Sequence, residues 1–312
     1  MQNAPIQSSR SFPRIKVSVV TIGMFDGVHV GHSKILRAVV RDARALCAEA
    51  VVFTFAQHPQ SVMGHREGFA MITTTSQRLR LFRNLGISRT LVCDFNARFA
   101  KTAPAAFVKR FLLDRLGMKE LCVGYDFAFG KDRKGNVALL KQLSHRNGFK
   151  LRVFGPFRGE GAVVSSTSIR KLLQQGKLKR ARRLLGRPYC MEGFVERGMG
   201  LGRVLGFPTA NIRMDNDCLL PNGVYAVTAS GPGFCRPGVL NAGYRPTLKE
   251  RGSRVGKTWE LHLWDFDKDL YGKRLEVRFI KRLRPEKKFE SLEALTRQVR
   301  KDIAVAKAIS SS

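Results

Sequence analysis

Hydrophobic and polar positions follow two regimes along the chain. In the first, short runs of β-branched and aromatic residues alternate with segments whose apolar residues recur every three or four positions. The runs are Val17–Gly23, Ala50–Phe55, Thr90–Asp94, Leu121–Tyr125 and Leu151–Phe154. Between the first two, Ser33–Leu46 carries Ile35, Leu36, Val39, Ala43 and Leu46 on a helical stripe. Pro104 opens another helix, with Phe107, Val108, Phe111, Leu112 and Leu116 on one face and Gly117 at its end. This alternation predicts an α/β domain: a mainly parallel sheet with helices on both faces, binding its ligands at the carboxyl ends of the strands.

The second regime begins near Gly186-Arg187-Pro188. Strand-like runs now follow one another: Met191–Arg197, Gly223–Ser230, Pro237–Gly243, Thr258–Phe266 and Arg274–Ile280. Pro221-Asn222-Gly223 and Gly231-Pro232-Gly233 punctuate them. Consecutive short strands with turn signals predict a small antiparallel β-barrel. A terminal helix follows over about Leu292–Ala308, with Phe289, Leu292, Leu295, Val299 and Ile303 expected to face the barrel. The expected domains are 1–186 and 187–312, matching a length of 312 residues at roughly 150 per domain.

Charge adds a second axis. Residues 1–186 carry 33 basic and 10 acidic side chains, and residues 187–312 carry 23 and 14, so the net charge is +32. Such a balance favours polyanionic partners, nucleotides or nucleic acid, although a basic solvated surface needs no partner at all. No apolar run approaches the roughly 20 residues of a membrane span. Met1–Lys16 has Arg10, Arg14 and Lys16 and no acid; it reads as a frayed tail, with a short organellar presequence as the alternative. The cysteines, Cys47, Cys93, Cys122, Cys190, Cys218 and Cys235, show no C-x-x-C spacing. Most lie in apolar stretches and read as small core residues in a reducing, cytoplasmic compartment.

Two segments of the first half carry chemistry. Gly23-Met24-Phe25-Asp26-Gly27-Val28-His29-Val30-Gly31-His32 leaves the first strand and enters the first helix. Its glycines allow tight bends and close backbone approach, and a helix N-terminus suits a phosphate. His29 and His32 can face one anion and donate to a phosphoryl oxygen as charge develops. A glycine-rich turn with incidental histidines, or a zinc pair lacking a third ligand, are the alternatives. Val164-Ser165-Ser166-Thr167-Ser168-Ile169-Arg170 precedes another amphipathic stretch. Hydroxyls, helix amides and Arg170 form an anion clamp, and taken alone the same residues form an ordinary helix cap.

Together, H-x-G-H and S-S-T-x-I-R resemble the nucleotidylyltransferase superfamily. Phe25–His29, Thr54-Phe55 with His58-Pro59, and Val123-Gly124-Tyr125-Asp126-Phe127-Ala128-Phe129-Gly130 resemble the adenylyltransferase module of the bacterial bifunctional riboflavin kinase/FMN adenylyltransferase (FAD synthetase) family. Gly198-Met199-Gly200-Leu201-Gly202-Arg203-Val204-Leu205-Gly206-Phe207-Pro208-Thr209-Ala210-Asn211 resembles the same family's riboflavin kinase signature. Glycine amides can wrap phosphates, and Thr209 and Asn211 offer hard oxygens to Mg²⁺ carried with ATP. A glycine-rich hairpin bending at Pro208 is the plainer alternative. Further matches are Leu220–Tyr225, Asn241–Thr247, Glu260–Phe266 and Leu283–Phe289.

The resemblance implies that riboflavin and ATP give FMN in the second half, and that FMN and ATP give FAD and pyrophosphate in the first. It implies phosphate contacts from Gly23, Phe25, Asp26, Gly31, Ser165, Ser166, Thr167, Arg170, Gly198, Gly200, Gly202 and Gly206. It makes His29 and His32 stabilisers of the α-phosphate, Glu260 the general base and Asp126 a residue that positions flavin or adenylyl groups. Three positions depart from the family pattern: Met24 for Asn, Ala128 for Arg and Leu248 for Phe. The first two motivate an alternative, a kinase-dominant paralogue whose first domain has drifted. The charge motivates another, a nucleic-acid-binding protein with a steep salt dependence.

Overall fold

The computed structural model describes residues 14–56, 70–94, 97–198, 202, 206–216, 219–244 and 257–310. They fall into two compact units, Met1–Ser166 and Thr167–Ser312. His58, Pro59, Gly200, Cys218 and Arg245–Leu248 lie outside the described residues.

In the first unit, β1 (Ser18–Ile22), β2 (Glu49–Phe55), β3 (Arg89–Cys93), β4 (Met118–Gly124) and β5 (Lys150–Phe154) form a parallel sheet ordered β3-β2-β1-β4-β5. The helices are α1 (Val30–Ala45), α2 (Thr75–Asn84), α3 (Pro104–Phe107, running on as a π-turn over Val108–Leu113) and α4 (Val137–Asn147). Period-two alternation sends side chains of each strand to opposite faces. Val20, Ile22, Val51, Phe53, Leu121 and Val123 share one core with Phe107, Val108, Leu112, Leu140 and Leu143. Val19, Val52 and Cys122 share the other with Leu36, Val39, Ala43 and Phe82. The near-continuous apolar strands of the sequence therefore reflect burial on both sides. Gly117 earns its place at the turn before β4: its φ is +51° and a side chain there would strike the backbone of Ile15 and Lys16. Strand order reverses between β1 and β4, so the crevice at their carboxyl ends is the topological switch point.

The short hairpin β6 (Arg158–Gly159) and β7 (Ala162–Val163) and the helices α5 (Ser166–Gln174) and α6 (Leu178–Leu185) come next in the chain. Six strands then close the barrel: β8 (Cys190–Glu196), β9 (Ala210–Met214), β10 (Gly223–Gly231), β11 (Phe234–Tyr244), β12 (Lys257–Leu263) and β13 (Arg274–Arg284). All neighbours are antiparallel, in the order β10-β11-β12-β9-β8-β13. Tyr225, Leu240, Leu261, Leu275, Val277 and Phe279 fill the interior.

The terminal helix α7 (Leu292–Ser310) packs through Ile303, Ala306 and Ile309 against Val224, Ala226 and Val239. The expected stripe is corrected at its start, because Leu292 is 63% exposed. Asp302, buried on the packed face, accepts from Arg284 Nε at 2.9 Å and so replaces an apolar position by an ion pair. The cysteine expectation also needs correction. Cys93 and Cys122 are buried, and burial pushes both thiols up to about 12, but Cys47 and Cys235 are exposed.

Candidate active sites

The turn after β1 is bent against side-chain preference. Phe25 (φ 50°), Gly27 (φ 78°) and Val28 (φ 39°) are left-handed, which a β-branched residue rarely adopts. Such strain persists only where the surroundings over-determine it. Here Asp26 does so. Its carboxylate accepts from Ile72 N and Thr73 N, each at 3.1 Å, and from Thr73 Oγ1 at 3.1 Å. Gly27 N donates to Thr73 Oγ1 at 2.9 Å, and Ser166 Oγ donates to the Asp26 carbonyl at 2.9 Å. Asp26 and Phe25 are buried, and their side chains support the turn from behind. Phe25 stands edge-on to His32 at 5.2 Å and to Phe82 at 5.7 Å.

His29 and His32 are stacked, with ring centroids 3.6 Å apart and planes 18° from parallel. His29 caps α1: its Nδ1 accepts the His32 N–H at 3.3 Å. That bond puts the proton of a neutral His29 on Nε2 and makes Nε2 the ring's donor. His32 Nδ1 is enclosed and has no hydrogen-bond partner among the described residues. Burial first, and the neighbouring His29 second, hold the His32 pKa well below its ordinary 6.5, so this ring is neutral at pH 7. Gly31 makes the stack possible. A Cβ there would lie 3.2 Å from the His29 ring and 3.3 Å from Phe157 Cβ. Gly31→Ala is expected to push the His29 ring by a few tenths of an ångström. Since a 1 Å misplacement can cost about 100-fold, FAD formation should fall by about tenfold in a steady-state assay, with FMN formation unchanged.

Behind the turn lies Arg78, a residue the sequence reading missed. It is 1% exposed. Its guanidinium donates to Met24 O at 2.7 Å, Phe55 O at 3.0 Å, Thr75 Oγ1 at 3.0 Å and Thr54 Oγ1 at 3.3 Å. Burial pushes it down to about 10, against the raising charge of Asp26, and it stays protonated at neutral pH. One buried cation thus ties the ends of β1 and β2 to the start of α2. The available signal was Thr74-x-x-Gln77, a reciprocal capping box that fixes where α2 begins. Met24 enters the cluster through its carbonyl, an atom any residue supplies, and its sulfur lies 3.8 Å from Arg78.

The other expected residues follow later elements of the chain. Asp126 is exposed two residues past β4, and the side chain of Gly124's replacement would crowd its Oδ1 at 3.1 Å. Phe127 and Phe129, on either side of Ala128, stack at 5.3 Å. They continue into a partly buried aromatic group with Phe55, Phe99 and Phe111, which the sequence reading did not single out. Ser165 precedes α5, Ser166 opens it, and Thr167 and Arg170 follow within it.

In the second unit, β9 and β12 pair Asn211 directly opposite Glu260. Opposed residues share a face, so Asn211, Glu260 and, two residues along β9's approach, Thr209 lie on one side of the wall. The inner face at this point is taken by Trp259, Leu261 and Leu263. The glycines have distinct reasons. A side chain at Gly198 would run into the Asn211 amide, and one at Gly202 would meet Thr209 Oγ1 at 2.9 Å. Gly206 has open space but a φ of +79°. Gly198 is therefore bare because it lies on the Asn211 side chain, and Gly202 because the Phe207 carbonyl, 2.5 Å from a Cβ there, and Thr209 lie against it, a cradle any Cβ would fill. The strand β9 itself escaped the sequence reading, because Pro208 and the polar Asn211 and Arg213 interrupt its apolar pattern.

Residues 12–168 match the FAD synthetase family and residues 185–310 the riboflavin kinase family. A bifunctional riboflavin kinase/FMN adenylyltransferase of Pseudomonas fluorescens is 38% identical, covering 95% of this chain and 94% of its own. The protein so named in Escherichia coli (strain K12) is 35% identical over 93% and 91%. A crystal structure from Streptococcus pneumoniae, described as a macrolide-efflux protein, superposes with a TM-score of 0.87 at 28% identity over 97% of this chain and 98% of that one. The efflux role is stated of that protein; here, among the described residues, no helix is long and apolar enough to cross a membrane. With a histidine stack at the switch point, an Asn–Glu pair on the barrel wall and both family matches in the same order along one chain, this protein belongs to the bifunctional riboflavin kinase/FMN adenylyltransferase family.

Proposed function

We propose that the barrel unit phosphorylates riboflavin with ATP to give FMN and ADP, and that the first unit joins FMN to AMP from a second ATP to give FAD and pyrophosphate. The observation that carries this reading is that the first unit holds the His29–His32 stack after β1 and the barrel holds Asn211 opposite Glu260. In the barrel, Glu260 takes the proton of the ribityl 5′-hydroxyl as that oxygen bonds to the γ-phosphorus and the bond to ADP breaks. The hydroxyl and amide oxygens of Thr209 and Asn211, beside the bare Gly198 and Gly202, fit a hard cation. Mg²⁺, when bound with ATP, neutralises phosphate charge there. The loop from Gly198 to Gly206 covers the phosphates.

In the first unit, an FMN phosphate oxygen bonds to the α-phosphorus and the bond to pyrophosphate breaks. The nucleophile is already anionic, so no strong base is needed. His29 donates through Nε2 to an α-phosphate oxygen, with His32 stacked beneath it. Ser165 and Ser166 hold the departing pyrophosphate, and Asp126 positions the flavin. The Arg78–Met24 carbonyl bond supports retention of this activity despite Met24, because the turn is held through main chain. The setting is cytoplasmic, and the excess charge serves anionic substrates.

The test is direct. Purified chain with riboflavin, ATP and Mg²⁺ should yield both FMN and FAD by flavin chromatography. FMN without FAD makes the kinase-dominant alternative correct, and neither product overturns the proposal.

A proton balance follows from His32. The folded ring is neutral while the unfolded ring takes up a proton below its ordinary 6.5. The unfolded state then binds more protons, so the ligand-free protein should lose stability as pH falls through about 6.5. A phosphate beside the ring favours its charged form. ATP binding to the first unit should therefore draw in protons below pH 6.5. Calorimetry in buffers of different ionisation enthalpy reads this uptake, and His32→Asn should remove it.

A further inference from the structure

The β9–β12 ladder stops at Ala210–Leu261. The next residue of β12 on the outer face after Glu260 is His262, and its side chain continues where the ladder ends. His262 Nδ1 lies 2.9 Å from Pro208 O. A carbonyl only accepts, so Nδ1 carries the proton. The ring also stands edge-on to Phe207, at 5.9 Å and 88°. From the other side, Phe207 N donates to Gly202 O at 2.8 Å. The Phe207-Pro208 dipeptide is thus gripped between Gly202 and β12. Pro208 has no N–H of its own with which to join a ladder.

We infer that His262 is a positioning residue for phosphoryl transfer, fixing the Pro208–Thr209 peptide and through it the Thr209 hydroxyl. The inference rests on the reading of Thr209 and Asn211 as the cation-holding pair. It assigns His262 no contact with substrate and no proton transfer. Its role is to keep the bend from swinging when the phosphates load.

Three variants of the full chain separate the parts. His262→Ala removes donor and ring, His262→Phe keeps a ring without a donor, and His262→Asn places an amide nitrogen where Nδ1 stands. The readouts are Mg²⁺ binding to the ADP-bound chain by calorimetry, the Mg²⁺ concentration for half-maximal FMN formation and the split between KM for ATP and kcat. Loss of one hydrogen bond, about 1 kcal/mol, corresponds to about fivefold. His262→Ala and His262→Phe should raise the Mg²⁺ midpoint and the KM by about that factor, with kcat changing less. His262→Asn should stay within about twofold of the parent, and FAD formation from supplied FMN should be unaltered in all three. The Thr209→Ala chain serves as reference. If it shifts the Mg²⁺ midpoint while His262→Ala does not, or if His262→Asn is as impaired as His262→Ala, the positioning role is wrong. If Thr209→Ala leaves the Mg²⁺ response untouched, the reading of Thr209 itself falls, and the inference with it.

Discussion

Alanine at His29 is expected to abolish FAD formation and leave FMN formation at its original rate. The imidazole carries three loads: the cap of α1 through Nδ1, the stack on His32, and a donor at Nε2 aimed away from the cap. Losing a cap costs about 1 kcal/mol, small beside the roughly 5–15 kcal/mol that holds a domain folded. Losing a donor to charge that develops in the transition state costs about 100- to 1,000-fold in kcat. His29→Asn separates the two, because an Asn oxygen caps the helix well but presents no group at the Nε2 position. Both variants should therefore fail at FAD formation from supplied FMN, while circular dichroism shows the folded chain. Wild-type FAD formation by His29→Asn removes the imidazole from the chemistry. Loss of both products from folded protein makes the assignment of two independent sites wrong.

Glu260→Gln is expected to give the mirror image. Gln keeps the shape of the side chain opposite Asn211 and on the face shared with Thr209, but it cannot accept the hydroxyl proton. General-base catalysis contributes about 100- to 10,000-fold, so FMN formation should drop by that range. Supplied FMN should still be converted to FAD at the parent rate, because nothing in the first unit has changed. A Glu260→Gln chain that phosphorylates riboflavin normally shows the carboxylate to be a bystander on an alternating strand. Flavin chromatography with riboflavin in one reaction and FMN in another reads both variants in the same experiment.

Much of the fold was legible because burial writes itself into the spacing of apolar residues. The five parallel strands stand where the β-branched runs predict them, because sheets covered on both faces leave no polar alternation to confuse the pattern. Pro104 and Gly117 mark the ends of α3 and its continuation by backbone restrictions that hold in any context. Elements under weaker constraint were lost. Strand β9 pairs with β12 over Asn211 and Ala210 alone, and its residues serve the site as much as the core. Helix α2 carries Gln77 and Arg78 on its buried side, so the apolar stripe that identifies a helix is broken where the helix meets the turn after β1. The terminal helix shows the same effect in Asp302, whose carboxylate sits where the stripe calls for an apolar residue.

The amino-acid sequence alone determined the two architectures, their order, and which residue types stand at the bend after β1 and at the approach to β9. Those follow from local rules: period, caps, glycine freedom and motif order. Tertiary structure decided what each of those residues does. Asp26 and Phe25 face inward because the strained turn needs a carboxylate and a ring behind it, and Arg78 arrives from α2 to hold the same turn through carbonyls. Gly198 is bare because Asn211 lies against it, and Gly202 because the Phe207 carbonyl and Thr209 do. His262 reaches Pro208 because the ladder ends one residue short. Such partnerships join residues far apart in the chain, and spacing along a sequence carries no information about which distant atoms a fold brings within a hydrogen bond of each other.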